Sequence, residues 1–280
     1  MSRIELAKNS GFCFGVKQAM EKTEEQISRK IRENTDGIIY TFGPLIHNRV
    51  VTDELKSRGV LIADTLENIT PQDVVIVRSH GETEAFFKEA DYRNIQIIDA
   101  TCPFVRKIQV LAAEAYRAGY QVVIIGDQNH PEVIGINGWC NQTALILDSK
   151  EKAEEVAEDH LFIVCQTTIK KEMMEEVTDV FKRKKKHYVM NNTICNATSE
   201  RQNRCKKLAE KSDAMVIIGG KNSSNTQKLY QISKKICKNT FFIEKIADLP
   251  LHQVLKYNKI GVAAGASTPE CVIKEVIATM

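Results

Sequence analysis

Four short runs, at 74–77, 122–125, 161–164 and 215–218, are built from consecutive β-branched and other apolar residues rather than alternating ones. A strand that is apolar on both sides is buried on both faces, which is the pattern of a parallel sheet covered by helices. Each run ends in a polar turn. Stretches such as 107–118 and 170–182 follow, with apolar residues recurring at helical spacing. This alternation along the whole chain predicts an α/β protein made of βαβ units. Ligands of open parallel sheets sit at the carboxyl ends of the strands, so the turns after strands are where chemistry is sought.

Three of those turns share a form. Asn9-Ser10-Gly11-Phe12-Cys13-Phe14-Gly15-Val16 leads into a predicted helix beginning near Lys17, and Asp99-Ala100-Thr101-Cys102-Pro103-Phe104-Val105 and Asn192-Thr193-Ile194-Cys195-Asn196-Ala197-Thr198 lead into two more. Cys13 and Cys102 stand 89 residues apart, Cys102 and Cys195 93 apart. A second set of turns keeps step: His47, His130 and Ser223 lie 34, 28 and 28 residues after the three cysteines. A third set, His80, Thr167 and Ser267, lies 67, 65 and 72 residues after them. The chain thus reads as one plan of roughly 90 residues used three times. The units are expected at 1–98, 99–190 and 191–280, with the C-terminal segment available to complete the first. Packed around a pseudo-threefold axis, they would bring Cys13, Cys102 and Cys195 to one centre.

Composition narrows the class. A hydrophobic share of 43% with 27% charged residues suits a globular protein with a sizeable core. Lys and Arg number 39 against 36 Asp and Glu, and a net charge of +3 does not call for a nucleic-acid or membrane partner. No apolar run approaches the roughly 20 residues of a membrane helix, and the N-terminus has no apolar signal core. A cytoplasmic protein is expected. Its eight cysteines never come closer than ten residues in sequence, which excludes local zinc-ribbon, thioredoxin-type and ferredoxin motifs. Any metal site must be assembled by the fold.

Three converging thiolates suit zinc with a fourth ligand, for which His47, His80 or His130 is available, or an iron–sulfur cluster with one open iron. Cys140, Cys165, Cys205, Cys237 and Cys271 lack equivalents in the repeats and are read as structural. Ser223-Ser224-Asn225-Thr226 and Ala266-Ser267-Thr268-Pro269 precede predicted helices, where hydroxyls and free backbone N–H groups hold phosphate oxygens. Glu132, beside His130, is the sharpest candidate acid, and Thr167 is placed to hydrogen-bond a substrate hydroxyl. The run Lys182-Arg183-Lys184-Lys185-Lys186-His187 reads as a solvated helix end.

These motifs together, with Gly43-Pro44-Leu45-Ile46-His47-Asn48, Arg78-Ser79-His80-Gly81, His130-Pro131-Glu132 and Gln166-Thr167-Thr168, resemble the 4-hydroxy-3-methylbut-2-enyl diphosphate reductases in order from about Cys13 to Ile277. The resemblance implies a trefoil of three α/β domains around a [4Fe–4S] cluster held by Cys13, Cys102 and Cys195. It implies a diphosphate held by His47, His80, His130, Ser223, Ser224, Asn225 and Ser267. Thr167 would stand near the substrate hydroxyl and Glu132 would be the proton donor. The implied reaction is two-electron removal of that hydroxyl, giving isopentenyl and dimethylallyl diphosphates. No flavin or nicotinamide motif is present, so electrons are expected from a ferredoxin or flavodoxin, with the basic run as its candidate docking site. Cys165 stands where relatives are expected to carry Ser or Thr, and is expected to be a spectator.

Overall fold

The computed structural model describes residues 3–280. Its strands are β1 (Arg3–Leu6), β2 (Ile39–Phe42), β3 (Val60–Ala63), β4 (Val74–Val77), β5 (Gln96–Asp99), β6 (Gln121–Ile125), β7 (Leu145–Leu147), β8 (Leu161–Cys165), β9 (Tyr188–Met190), β10 (Ala214–Ile218), β11 (Thr240–Ile243) and β12 (Lys259–Ala264). They form three four-stranded sheets of order β3-β2-β4-β5, β7-β6-β8-β9 and β11-β10-β12-β1, every pairing parallel. The protein is α/β, as the apolar runs predict.

The continuous apolar runs have their explanation in the sheet around β6. Val123 and Ile125 face a core with Val177, Val180 and Phe181 of the helix Lys171–Arg183. Val122 and Ile124 face the opposite way, onto Ile108 and Ala112 of the helix Pro103–Arg117 and Val133 and Ile136 of the helix Pro131–Gly138. With both faces covered, no position of the strand is left for a polar residue. The sheet around β10 repeats this, Val216 and Ile218 on one side and Met215 and Ile217 on the other.

Counted β2 to β5, β6 to β9, and β10 to β12 followed by β1, each sheet has one strand order: its first strand is central, its second is an edge, and its fourth is the opposite edge. The cysteine-bearing turn follows the fourth strand, not the first. The repeat is therefore phased differently from the sequence reading, in which each unit begins with a cysteine strand. Its consequence falls on the N-terminus, because β1 pairs with β12, Ile4 opposite Ile260, and closes the sheet of the C-terminal third.

The chain gathers into two compact units. One comprises the N-terminal residues to Lys17 with Ile46–Arg58 and Asn196–Met280, and holds the β11-β10-β12-β1 sheet. The other comprises Gln18–Leu45 and Gly59–Cys195 and holds the remaining two sheets. The boundaries expected near 98 and 190 fall just before the last residue of β5 and at the end of β9. The expected first unit, 1–98, differs, since its opening strand and the helix Arg49–Ser57 lie with the C-terminal residues. A parallel edge strand needs only a free neighbouring edge, and β12 offers one wherever the chain begins.

Candidate active site

Cys13, Cys102 and Cys195 each stand immediately before a helix, at Phe14–Glu33, Pro103–Arg117 and Asn196–Ala209. Each donates its backbone N–H, at 3.0 Å, to a carbonyl two residues beyond the end of the neighbouring strand: Ala266 after β12, Ser79 after β4 and Thr167 after β8. The same tether made three times shows that the cysteine positions are structurally equivalent. None of the three is in a disulfide and all are half-buried, whereas Cys140, Cys165, Cys205 and Cys237 are buried in the cores. Half-buried cysteines at helix starts supply the thiolate donors that soft metals and iron–sulfur groups require, so these residues fit such a group.

In the unit that contains Cys13, three turns converge. Ser223 caps the helix Ser224–Ile236, its Oγ accepting from Thr226 N–H at 3.4 Å. Ser267 Oγ donates to the His47 carbonyl at 3.3 Å. The turns approach so closely that a Cβ on Gly220 would lie 2.0 Å from that same carbonyl, and one on Gly265 2.0 Å from Thr226 Oγ1. Within this space Asn225 is 4% exposed, yet neither end of its amide has a partner. Asn48 Nδ2 and Thr226 Oγ1 are likewise buried without partners. A buried amide without hydrogen bonds costs about 1–3 kcal/mol, so four such atoms on converging turns mark a place for a polar ligand. A helix N-terminus with hydroxyls beside it suits an anion. Ser224 is half-buried in the first turn of the same helix.

The other unit holds the acid. Glu132, 2% exposed at the start of the helix Pro131–Gly138, accepts from Thr167 N–H at Oε1 (2.6 Å) and from Thr167 Oγ1 at Oε2 (2.7 Å). Burial pushes its carboxyl up to about 7, against the opposing pull of the two Thr167 bonds. Glu132 is thereby kept near an even balance of acid and carboxylate at neutral pH. His130 caps the same helix, its Nδ1 accepting from Glu132 N–H at 3.2 Å, so the neutral ring carries its proton on Nε2. The His80 ring meets the His130 ring edge-on at 5.3 Å. The tether from Cys195 to the Thr167 carbonyl, and that from Cys102 to the Ser79 carbonyl, join these turns to two of the cysteines.

Some sequence readings are corrected. Asn48, not His47, is the cap equivalent to His130 and Ser223, and it accepts from Val51 N–H at 3.4 Å. His47 precedes it by one residue. The basic run is largely exposed, and most of its charges have local partners. Arg183 pairs with Glu154, Lys184 donates to the carbonyls of Glu154 and Val156, and Lys186 donates to those of Ala157 and Glu158. His187 pairs with Asp159 at 2.9 Å. Cys271 is exposed on the helix Glu270–Thr279 and holds no core together. Cys165 lies wholly in the core with its thiol pushed up to about 12 by burial, as expected of a spectator.

Sequence reasoning missed Asn48 and Thr226, whose role is visible only as orphaned polar atoms. It also missed a legible signal. Gly43, Gly126 and Gly219, each directly after the first strand of its sheet, donate N–H to the last residue of the second strand at 2.8, 2.9 and 2.9 Å.

Converging turns with unpartnered buried polar atoms, a buried acid poised near neutrality and three structurally equivalent cysteines are the marks of an α/β enzyme. The sequence matches the LytB protein family over residues 4–280, and the chain belongs to that family. It is 44% identical over 277 residues to 4-hydroxy-3-methylbut-2-enyl diphosphate reductase of Caldanaerobacter subterraneus subsp. tengcongensis, covering 98% of this chain and 95% of the relative. It is 41% identical over 277 residues to the enzyme of that name from Clostridioides difficile, covering 98% and 97%. Among solved structures, one titled as (E)-4-hydroxy-3-methyl-but-2-enyl diphosphate reductase, the terminal enzyme of the non-mevalonate pathway, superposes with a TM-score of 0.73 at 40% identity over 100% of this chain and 99% of that one. The E-1-hydroxy-2-methyl-but-2-enyl-4-diphosphate reductase of Plasmodium falciparum superposes with a TM-score of 0.89 at 27% identity, covering 99% and 87%.

Proposed function

We propose that this chain reduces 4-hydroxy-3-methylbut-2-enyl diphosphate to isopentenyl and dimethylallyl diphosphates, the last step of a non-mevalonate route to isoprenoids. Family membership supports the substrate, and the observation that carries the chemistry is the buried Glu132–Thr167 pair. The reaction breaks one C–O bond and takes up two electrons and two protons. One proton leaves with the hydroxyl as water, and the other completes a C–H bond of the product.

Cys13, Cys102 and Cys195 would hold a [4Fe–4S] cluster, which when bound supplies the electrons and a Lewis-acidic iron. The chain's own residues do the rest. Ser223, Ser224, Asn225, Ser267 and His47 bind the diphosphate, and the close-packed turns that carry them hold the substrate in one orientation. His80 and His130 add N–H donors for the same charge. Thr167 Oγ1 faces the substrate hydroxyl, relaying the proton that Glu132 gives up. Burial strengthens each of these charge interactions by excluding water. The electrons come from a ferredoxin or flavodoxin.

The test is iron and acid-labile sulfide per chain on protein purified without oxygen, followed by turnover of the diphosphate with a reduced donor. About four of each, lost in Cys195→Ser, together with water-releasing turnover, is the expected result. Zinc in place of iron, or a loaded cluster without turnover, would overturn the reading.

A further inference from the structure

Arg201 is a charged side chain that the mechanism leaves unused, and it is only 5% exposed. Its guanidinium donates from Nε to the Asn9 carbonyl at 2.8 Å and from Nη2 to the Gly11 carbonyl at 3.0 Å. Those carbonyls belong to the turn that ends at Cys13. The turn is tightly wound, with Asn9 at φ +66° and Gly11 at φ +94°, both in the left-handed region. Left-handed residues swing their carbonyls out of any ladder, so their oxygens need donors from elsewhere. A planar fork with several N–H groups meets two such oxygens at once, which a lysine ammonium does less well. Glu200, next to Arg201 on the helix Asn196–Ala209, takes Asn9 Nδ2 at 3.0 Å, so Asn9 is gripped at both its backbone and its side chain. The same residues, with Ser10, Phe12 and Cys13, line a cavity of about 330 Å3.

We propose that Arg201 is a positioning residue for Cys13: its guanidinium fixes the 9–12 turn and thereby the direction of the Cys13 thiol. A parallel exists in the other unit, where Lys22 Nζ donates to the Asp99 carbonyl, at 2.5 Å, three residues before Cys102. In both cases a cation from a helix that begins at one cysteine holds the approach to another. The proposal rests on the reading of Cys13 as a ligand of the metal group, but the turn's geometry is measurable without metal.

The experiment follows alkylation of Cys13, Cys102 and Cys195 separately, by mass spectrometry, in the metal-free chain. Arg201→Met is expected to speed labelling of Cys13 about tenfold while Cys102 and Cys195 change less than twofold, and Arg201→Lys should fall between Met and wild type. Glu200→Gln, which loosens the Asn9 side chain and an exposed ion pair with Arg204, should give a smaller rise confined to Cys13, and it keeps the test open if Arg201→Met does not fold. Equal acceleration at all three cysteines, or none at Cys13 in either Arg201→Lys or Glu200→Gln, would overturn the proposal. Iron content of the anaerobically purified variants, and the electron paramagnetic resonance signal of the reduced protein, provide the second readout. A normal labelling pattern change with no iron in wild type would leave Arg201's hold on the turn established and remove the metal from the reading of Cys13.

Discussion

Glu132 and Thr167 form a pair whose two protonation states fit the same geometry. As a carboxylate, Glu132 accepts from both Thr167 N–H and Oγ1–H. As an acid it still accepts the N–H at Oε1 while its own O–H turns toward Thr167 Oγ1, freeing the threonine hydrogen for a substrate hydroxyl. Glutamine copies the acid's donors and acceptors but has no proton to release. Glu132→Gln is therefore expected to keep diphosphate affinity within about threefold and to lose ~10²–10⁴ in turnover, measured by calorimetry and steady-state assay. Wild-type turnover should fall as pH rises above about 7, where the acid form is depleted. Stability follows the same sign. Because the fold raises this pKa above its ordinary value of 4.5, its contribution is intact below 4.5 and is lost as pH rises through about 7. Unfolding at pH 8 should be easier than at pH 4 by on the order of 3 kcal/mol from this group, and Glu132→Gln should remove that slope. Across the other unit, Asn225→Ala and Ser223→Ala each remove a charge-assisted bond. Each should weaken diphosphate binding about 10- to 100-fold, with little loss of Tm for Asn225→Ala because its amide has no partner in the protein.

Among the elements, the turns after strands carry the design, and their glycines set how closely they approach. Gly220 lies against the His47 carbonyl, where any Cβ would sit at 2.0 Å from a backbone atom that cannot swing away. Gly220→Ala should shift the His47 turn away from Ser267, costing about 1–3 kcal/mol of stability and weakening substrate binding more than the loss of a single hydroxyl. A thermal melt and a binding isotherm check both. The strand ends were legible in sequence because the apolar runs stop abruptly at Arg78, Gly126, Gln166 and Gly219. The one-residue offset between His47 and its counterparts was not, because which residue caps the helix Arg49–Ser57 depends on where the first turn closes. The basic run 182–187 shows the same limit. Its charges looked free in sequence, but the 154–159 segment that accepts them lies almost thirty residues away.

For the whole molecule, the fold closes on itself through its first strand. β1 is an edge strand held by β12 alone, and Ile4 packs against the core of Val262, Val272 and Val276. Removing residues 1–7 should expose the β12 edge and lower amide protection in β10 and β12, while β2–β9 keep theirs, as hydrogen exchange would show. Equal loss everywhere would contradict this. No helix among the described residues is long and apolar enough to cross a membrane. The sequence by itself determined the α/β class and the threefold recurrence of cysteine-bearing turns, and it named the residues from which the proposed site is built. These depend on local periodicity and on residue types whose chemistry is intrinsic. Only the tertiary structure decided that the cysteine strand closes each sheet, that β1 joins the last of them, that Asn48 and Thr226 bury polar atoms without partners, and that Arg201 grips the turn before Cys13. Strand pairing and buried hydrogen-bond partners are relations between distant segments, and a polar residue's role is visible only once its neighbours, or their absence, are known.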